Sequence, residues 1–200
     1  LLSLYKIILN SILYSIPYNL HKINNAGRSQ SMSKLSVLFV CLGNICRSPT
    51  AHAVFRQIVI AQGLDSKIQV DSAGTGDWHL GRAPDARSTA TAAERGYDLS
   101  DLRARLVTPS DFAHFDYIVA MDNSNLGNLQ VMCPSGFSGE LKLFLDYTDK
   151  ERHSDYTEVP DPYLGGADGF ELVLDLIEDA SLGLLELIKA QLHQSGKVGG

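Results

Sequence analysis

From Met32 onward, short strand-like segments alternate with longer stretches of helical periodicity. Val37–Cys41 is uninterrupted and predicts a buried strand. Pro49 to Gly63 carries Ala53, Val54, Ile58 and Ala61 at helical spacing, with Gly63 as a stop. Ile68–Ala73 predicts a second strand, and the Ala-rich stretch Asp85–Gly96 a second helix ended by glycine. Thr108, Pro109 and Asp111 suggest the start of a short helix. Tyr117–Met121 predicts a third strand, Asn123–Met132 a helix and Leu141–Leu145 a fourth strand. Asp146–Asp168 is polar without periodicity and reads as a long loop. Phe170–Leu192 predicts a long helix with a broad apolar face. Strands alternating with helices imply an α/β fold, a parallel sheet with helices on both faces. Ligands in such sheets bind beyond the carboxyl ends of strands, near a switch in strand order. The first strand ends at Cys41.

The 200 residues, 44% of them hydrophobic, suit one ordinary domain with a real core. No repeat or linker divides 32–194, and 195–200 reads as a C-terminal tail. The first 31 residues stand apart. They contain no Asp or Glu, and their longest purely apolar run, Ile7–Leu9, falls far short of the roughly 20 residues that span a bilayer. They also lack the layout of a secretory signal. They are expected to be an upstream extension, non-native or disordered, with a short amphipathic helix as the alternative. The net charge of −6 argues against a general nucleic-acid or membrane surface. The three cysteines, Cys41, Cys46 and Cys133, form no disulfide framework and suit a reducing, cytoplasmic setting. The scattered histidines give no metal-ligand spacing, so no metal and no cofactor are expected.

The first strand leads into "CLGNICRSP", Cys41 to Pro49. A loop between strand and helix can turn successive N–H groups into one concavity, and the helix N-terminus adds positive potential. Gly43 and Asn44 tolerate the left-handed backbone such a loop needs. Arg47 supplies a planar fork suited to two phosphate oxygens. Amides, helix dipole and arginine together favour a thiolate at Cys41, and Ser48 can donate a hydrogen bond to it. A thiolate beside bound phosphate is a nucleophile aimed at phosphorus. The bland alternative is a buried cysteine at a strand end.

The run Val37–Pro49 resembles the signature of the low-molecular-weight protein tyrosine phosphatases. Asp161-Pro162-Tyr163 and the segment Val70–Arg87 extend the resemblance over about residues 35–194. It implies a three-layer, flavodoxin-like fold on a four-stranded parallel sheet, and hydrolysis through a cysteinyl phosphate. Cys41 would be the nucleophile and Asp161 the general acid and then base. Arg47 and the loop amides of Leu42, Gly43, Asn44, Ile45 and Cys46 would hold phosphate. Ser48 would assist thiolate release, while Asn44 and Ser72 would brace the loop. Trp78 and Tyr163 would wall a pocket deep enough for phosphotyrosine. Phosphotyrosine-containing proteins are the implied substrates, bacterial tyrosine kinases among the candidates, and inorganic phosphate the product. The resemblance also implies that Cys46 can trap oxidised Cys41 as a disulfide; the alternative is a loop-packing thiol. Cys133 is expected to be structural or incidental.

The sequence departs from the pattern in places. Leu164, Gly165 and Gly166 follow Tyr163, where vertebrate members commonly carry a second tyrosine. Arg95 precedes Gly96, where the family often has histidine. His52 stands where glutamate is frequent and is expected to face solvent. Two rivals remain on residues alone. A thiol-coupled arsenate reductase shares the loop but needs relay cysteines, and only Cys133 is left over. A non-catalytic phosphotyrosine-binding module would not need Cys41, Arg47 and Asp161 together.

Overall fold

The computed structural model describes residues 34–148, 153 and 155–197. The expected extension, residues 1–31, and residues 198–200 of the expected tail lie outside the described residues. Four parallel strands form one sheet in the order β2-β1-β3-β4. They are β1 (Leu35–Cys41), β2 (Ile68–Gly74), β3 (Tyr117–Ala120) and β4 (Glu140–Leu143). Cys41 pairs with Gly74, and Val40 with both Ala73 and Ala120, so three strands end at one edge. The order reverses between β1 and β3, which opens a crevice beyond Cys41.

Alternation along β1 separates two cores. Val37, Phe39 and Cys41 face the larger one. This face is covered by α1 (Arg47–Ala61) and the long α5 (Gly166–Lys197), against which α2 (Ala86–Glu94) also packs. Leu38 and Val40 face the smaller core, with Phe112 of α3 (Asp111–His114) and Leu129 of α4 (Asn123–Met132). Both faces of the sheet are therefore buried, which is why β1 and β3 read as unbroken apolar runs.

Two boundaries differ from the periodicity. The expected strand Leu141–Leu145 does not stay extended. The strand ends at Leu143, and Phe144–Tyr147 forms a 3₁₀ turn. That turn brings the Phe144 ring to 4.9 Å from Phe39, and a short, mostly apolar segment cannot by itself distinguish strand from turn. The expected loop 146–168 also holds a 3₁₀ turn, Pro162–Leu164, and the first residues of α5. Gly183 of α5 packs directly on that first 3₁₀ turn: a Cβ there would lie 1.8 Å from the Tyr147 carbonyl oxygen.

His52 corrects the expectation of a solvent-facing position. It is 7% exposed. The helix around it is enclosed because Ala51 and Ala53 let neighbours approach closely, and ten of its residues are buried. Burial, reinforced by Arg56, pushes the imidazole pKa down to about 4, so it is neutral in the fold. Its Nδ1 has no hydrogen-bond partner among the described residues and lies 3.9 Å from Asp71 Oδ1.

Arg95 is enclosed by three carboxylates of α5. It pairs with Asp175 at 2.6 Å, with Glu178 at 2.7 Å, and with Glu171. Tyr97 donates its hydroxyl to Glu178 at 2.9 Å. The residue that departs from the family pattern thus clips α2 to α5.

Candidate active site

The loop after β1 begins with a buried sulfur. Cys41 Sγ lies 3.0 Å from Ser48 Oγ and accepts the Asn44 N–H at 3.3 Å. Asn44 adopts φ 52°, a left-handed conformation that asparagine tolerates better than most residues. Its side chain fixes three segments. Nδ2 donates to Ser48 Oγ (2.8 Å) and Ser72 Oγ (3.0 Å), while Oδ1 accepts from Arg105 N–H (2.9 Å). Arg105 is held in turn by Asp71 at 2.9 Å and Asp111 at 3.1 Å. No backbone carbonyl among the described residues accepts from the N–H of Leu42, Gly43, Ile45 or Cys46. These donors precede the N-terminus of α1, where an anion is favoured.

Arg47 opens α1 and is 4% exposed. Its Nη1 meets Asp122 Oδ2 at 2.5 Å and the Val159 carbonyl at 3.1 Å. Its Nη2 lies 3.6 Å from Asp161 Oδ2. Asp161 heads the Pro162–Leu164 turn, where its other oxygen accepts the Tyr163 N–H at 3.0 Å. One carboxylate oxygen shapes the turn, and the second faces the guanidinium. Val159 also donates its N–H to Met121 O, so the segment before Asp161 is tied to the end of β3.

The structure thus brings Cys41, Asn44, Arg47, Ser48, Ser72 and Asp161 together at the carboxyl edge of the sheet. Leu42, Trp78 and Tyr163 are exposed, at 42%, 67% and 62%. Trp78 folds over Gly76, where a Cβ would strike the indole at 1.8 Å, and Gly76 N–H bonds to Leu42 O. Tyr163 stacks on Arg87. Cys46 is buried, and burial pushes its thiol up to about 11. All three cysteines are free.

A sequence model of the low molecular weight phosphotyrosine protein phosphatases matches residues 36–195. The chain belongs to this family. The Bacillus subtilis low molecular weight protein-tyrosine-phosphatase YfkJ is 43% identical over 157 residues, covering 78% of this chain and 97% of that protein. The human low molecular weight phosphotyrosine protein phosphatase is 42% identical over 139 residues, covering 69% and 85%. Among solved structures, a protein tyrosine phosphatase from Entamoeba histolytica with Hepes in the active site superposes with a TM-score of 0.74 at 40% identity, covering 79% and 99%. A structure described as Drosophila arginine phosphatase superposes at 0.70 with 33% identity, covering 76% and 97%. The chain is accordingly a tyrosine phosphatase, a phosphoric monoester hydrolase.

Within this phosphatase, Asp122 was absent from the sequence reading. It follows β3 directly, at the switch in strand order, and that position in "YIVAMD" was the available signal. Its carboxylate caps α4 through Asn125 N–H at 2.7 Å and orients Arg47. Among the described residues, no helix is long and apolar enough to cross a membrane.

Proposed function

We propose that the phosphatase hydrolyses phosphotyrosine through a cysteinyl-phosphate intermediate. The observation that supports this best is the meeting of Cys41 Sγ with two hydrogen-bonding groups, Asn44 N–H and Ser48 Oγ, in a loop whose Arg47 faces Asp161 at 3.6 Å. The Cys41 thiolate attacks phosphorus in line, forming the S–P bond as the P–O bond to the phenol breaks. The guanidinium of Arg47 and the N–H groups of Leu42, Gly43, Asn44, Ile45 and Cys46 hold the equatorial oxygens. Asp161 gives its proton to the departing phenolate, whose parent phenol has a pKa of about 10. Water then attacks phosphorus and passes its proton to Asp161, and the S–P bond breaks. Ser48 stabilises the released thiolate, and inorganic phosphate leaves.

Asp122 holds Arg47 in place for the phosphate. Asn44, braced by Ser72 and Arg105, keeps the loop curled before substrate arrives, so its shape need not be formed during binding. Trp78 and Tyr163 flank the entrance and receive the tyrosyl ring. A phosphoserine, one ring shorter, does not bring phosphorus to the buried sulfur. The working location is cytoplasmic, where thiols stay reduced.

The test is a pH–rate profile on aryl phosphates, with phosphoarginine as a comparator. Cys41→Ser is expected to abolish hydrolysis while still binding phosphate. Asp161→Asn should lose about 10²–10⁴-fold in kcat/KM on a poor leaving group, much less on a good one, and lose the limb set by the acid. Full activity in both variants refutes the mechanism.

A further inference from the structure

Arg87 lies in the first turn of α2, outside the phosphate loop and the Asp161 turn, yet it touches the supports of both. Its guanidinium carbon lies 4.5 Å from the centroid of the Tyr163 ring and 4.7 Å from that of Phe170. The cation is thus shared by two rings. Asp85 fixes it in that position. Arg87 Nε donates to Oδ1 at 3.0 Å, Nη2 to Oδ2 at 2.9 Å, and the Arg87 N–H to Oδ1 at 2.8 Å. Asp85 in turn donates its own N–H to the carbonyl of Ile45, in the phosphate loop, at 2.7 Å.

We propose that Arg87 is a positioning residue that fixes the Asp161–Tyr163 turn relative to the phosphate loop. This rests on the reading of Asp161 as the general acid. The chain of contacts runs Ile45, Asp85, Arg87, Tyr163, Asp161. Tyr163 is 62% exposed, and the Arg87 guanidinium lies against its ring. Tyr163 and Asp161 share one short turn closed by the Tyr163 N–H bond to Asp161 Oδ1. A tilt of the ring therefore moves the carboxylate that must reach the leaving oxygen. A misplacement of about 1 Å at a reacting group can cost about 10²-fold in rate. Arginine suits the position because one planar group can stack on rings and bond a carboxylate in two places at once. Lysine can do the first and only half of the second.

The experiment measures kcat/KM for a series of aryl phosphates whose leaving groups range from dinitrophenol to phenol. Arg87→Ala is expected to lose about tenfold on phenyl phosphate and less than about twofold on dinitrophenyl phosphate, because only the poor leaving group needs a well-placed proton. Arg87→Lys should recover part of the loss. Combining Arg87→Ala with Asp161→Asn should add nothing on phenyl phosphate beyond Asp161→Asn alone. Thermal melting of each variant, with Arg87→Gln as a second neutral replacement, checks the fold. An equal loss on all substrates, or none, overturns the positioning role while leaving Asp161 as the acid if Asp161→Asn keeps its leaving-group dependence. If Asp161→Asn lacks that dependence, both assignments fall.

Discussion

At the scale of single residues, buried titratable groups give measurable signatures. The Cys46 thiol, raised to about 11 by burial, is almost wholly protonated at neutral pH. Iodoacetamide at pH 7.5 should therefore modify it roughly two orders of magnitude more slowly than an ordinary thiol, and Cys133 should react first of the two. Mass spectrometry of timed aliquots reads this, and comparable rates would show that Cys46 is not enclosed. The same protonation makes Cys46 a slow partner for an oxidised Cys41, since the thiolate is the attacking species. His52 gives a second signature. Its pKa falls from 6.5 to about 4 on folding, so the unfolded chain binds the proton more tightly. Its effect on stability is therefore neutral above pH 6.5, and stability falls as pH drops from 6.5 toward 4, by about 3 kcal/mol at the lower limit. Urea titrations of wild type and His52→Gln across that window should show the variant with the shallower loss.

At the scale of elements, close approach and pairing set the tolerances. Gly183→Ala would push a methyl into the Tyr147 carbonyl, so α5 or the 3₁₀ turn must move. A destabilisation of about 1–3 kcal/mol is expected, visible as a lower Tm. The Arg95 clip predicts that Arg95→Ala leaves three carboxylates of one helix face without their cation. The variant should melt lower, and added salt should restore part of the loss by screening the remaining repulsion. What was legible at this scale follows from distance along the chain. Residues 37–49 contain strand, loop and helix start in one contiguous run, so Cys41, Asn44, Arg47 and Ser48 could be placed together before any coordinates. Their supports could not. Asp122 reaches Arg47 across 75 positions, Val159 across 112, and Arg105 reaches Asn44 across 61. No local periodicity encodes such meetings; only the packed sheet creates them. His52 failed for a related reason, because small neighbours on a helix do not reveal how closely a second layer will approach.

At the scale of the whole molecule, the parallel sheet gathers Cys41, Asn44, Arg47, Ser48 and Asp161 at the carboxyl edge of its strands. Binding there should stabilise the entire domain by mass action. Inorganic phosphate at about one hundred times its Kd should raise unfolding stability by about 2.7 kcal/mol, and Arg47→Ala should abolish the increment. Calorimetry with and without phosphate checks this. A shift that survives in Arg47→Ala would place the anion elsewhere. The family membership was legible because its marker is local. The coupling of the Asp161 turn to α2 was not, because a cation between two rings leaves no mark in the order of residues.

Asn44 carries a consequence for how such a chain can change over time. Glycine would accept its φ of 52° with ease but would sever the bonds to Ser48, Ser72 and Arg105. Aspartate would keep the acceptor for Arg105 yet turn an oxygen toward two hydroxyls and set a negative charge beside the sulfur. Larger side chains would neither fit the left-handed turn nor match three partners on separate segments. A saturation library at this codon should yield no fully active replacement, so neutral drift can pass around position 44 but not through it.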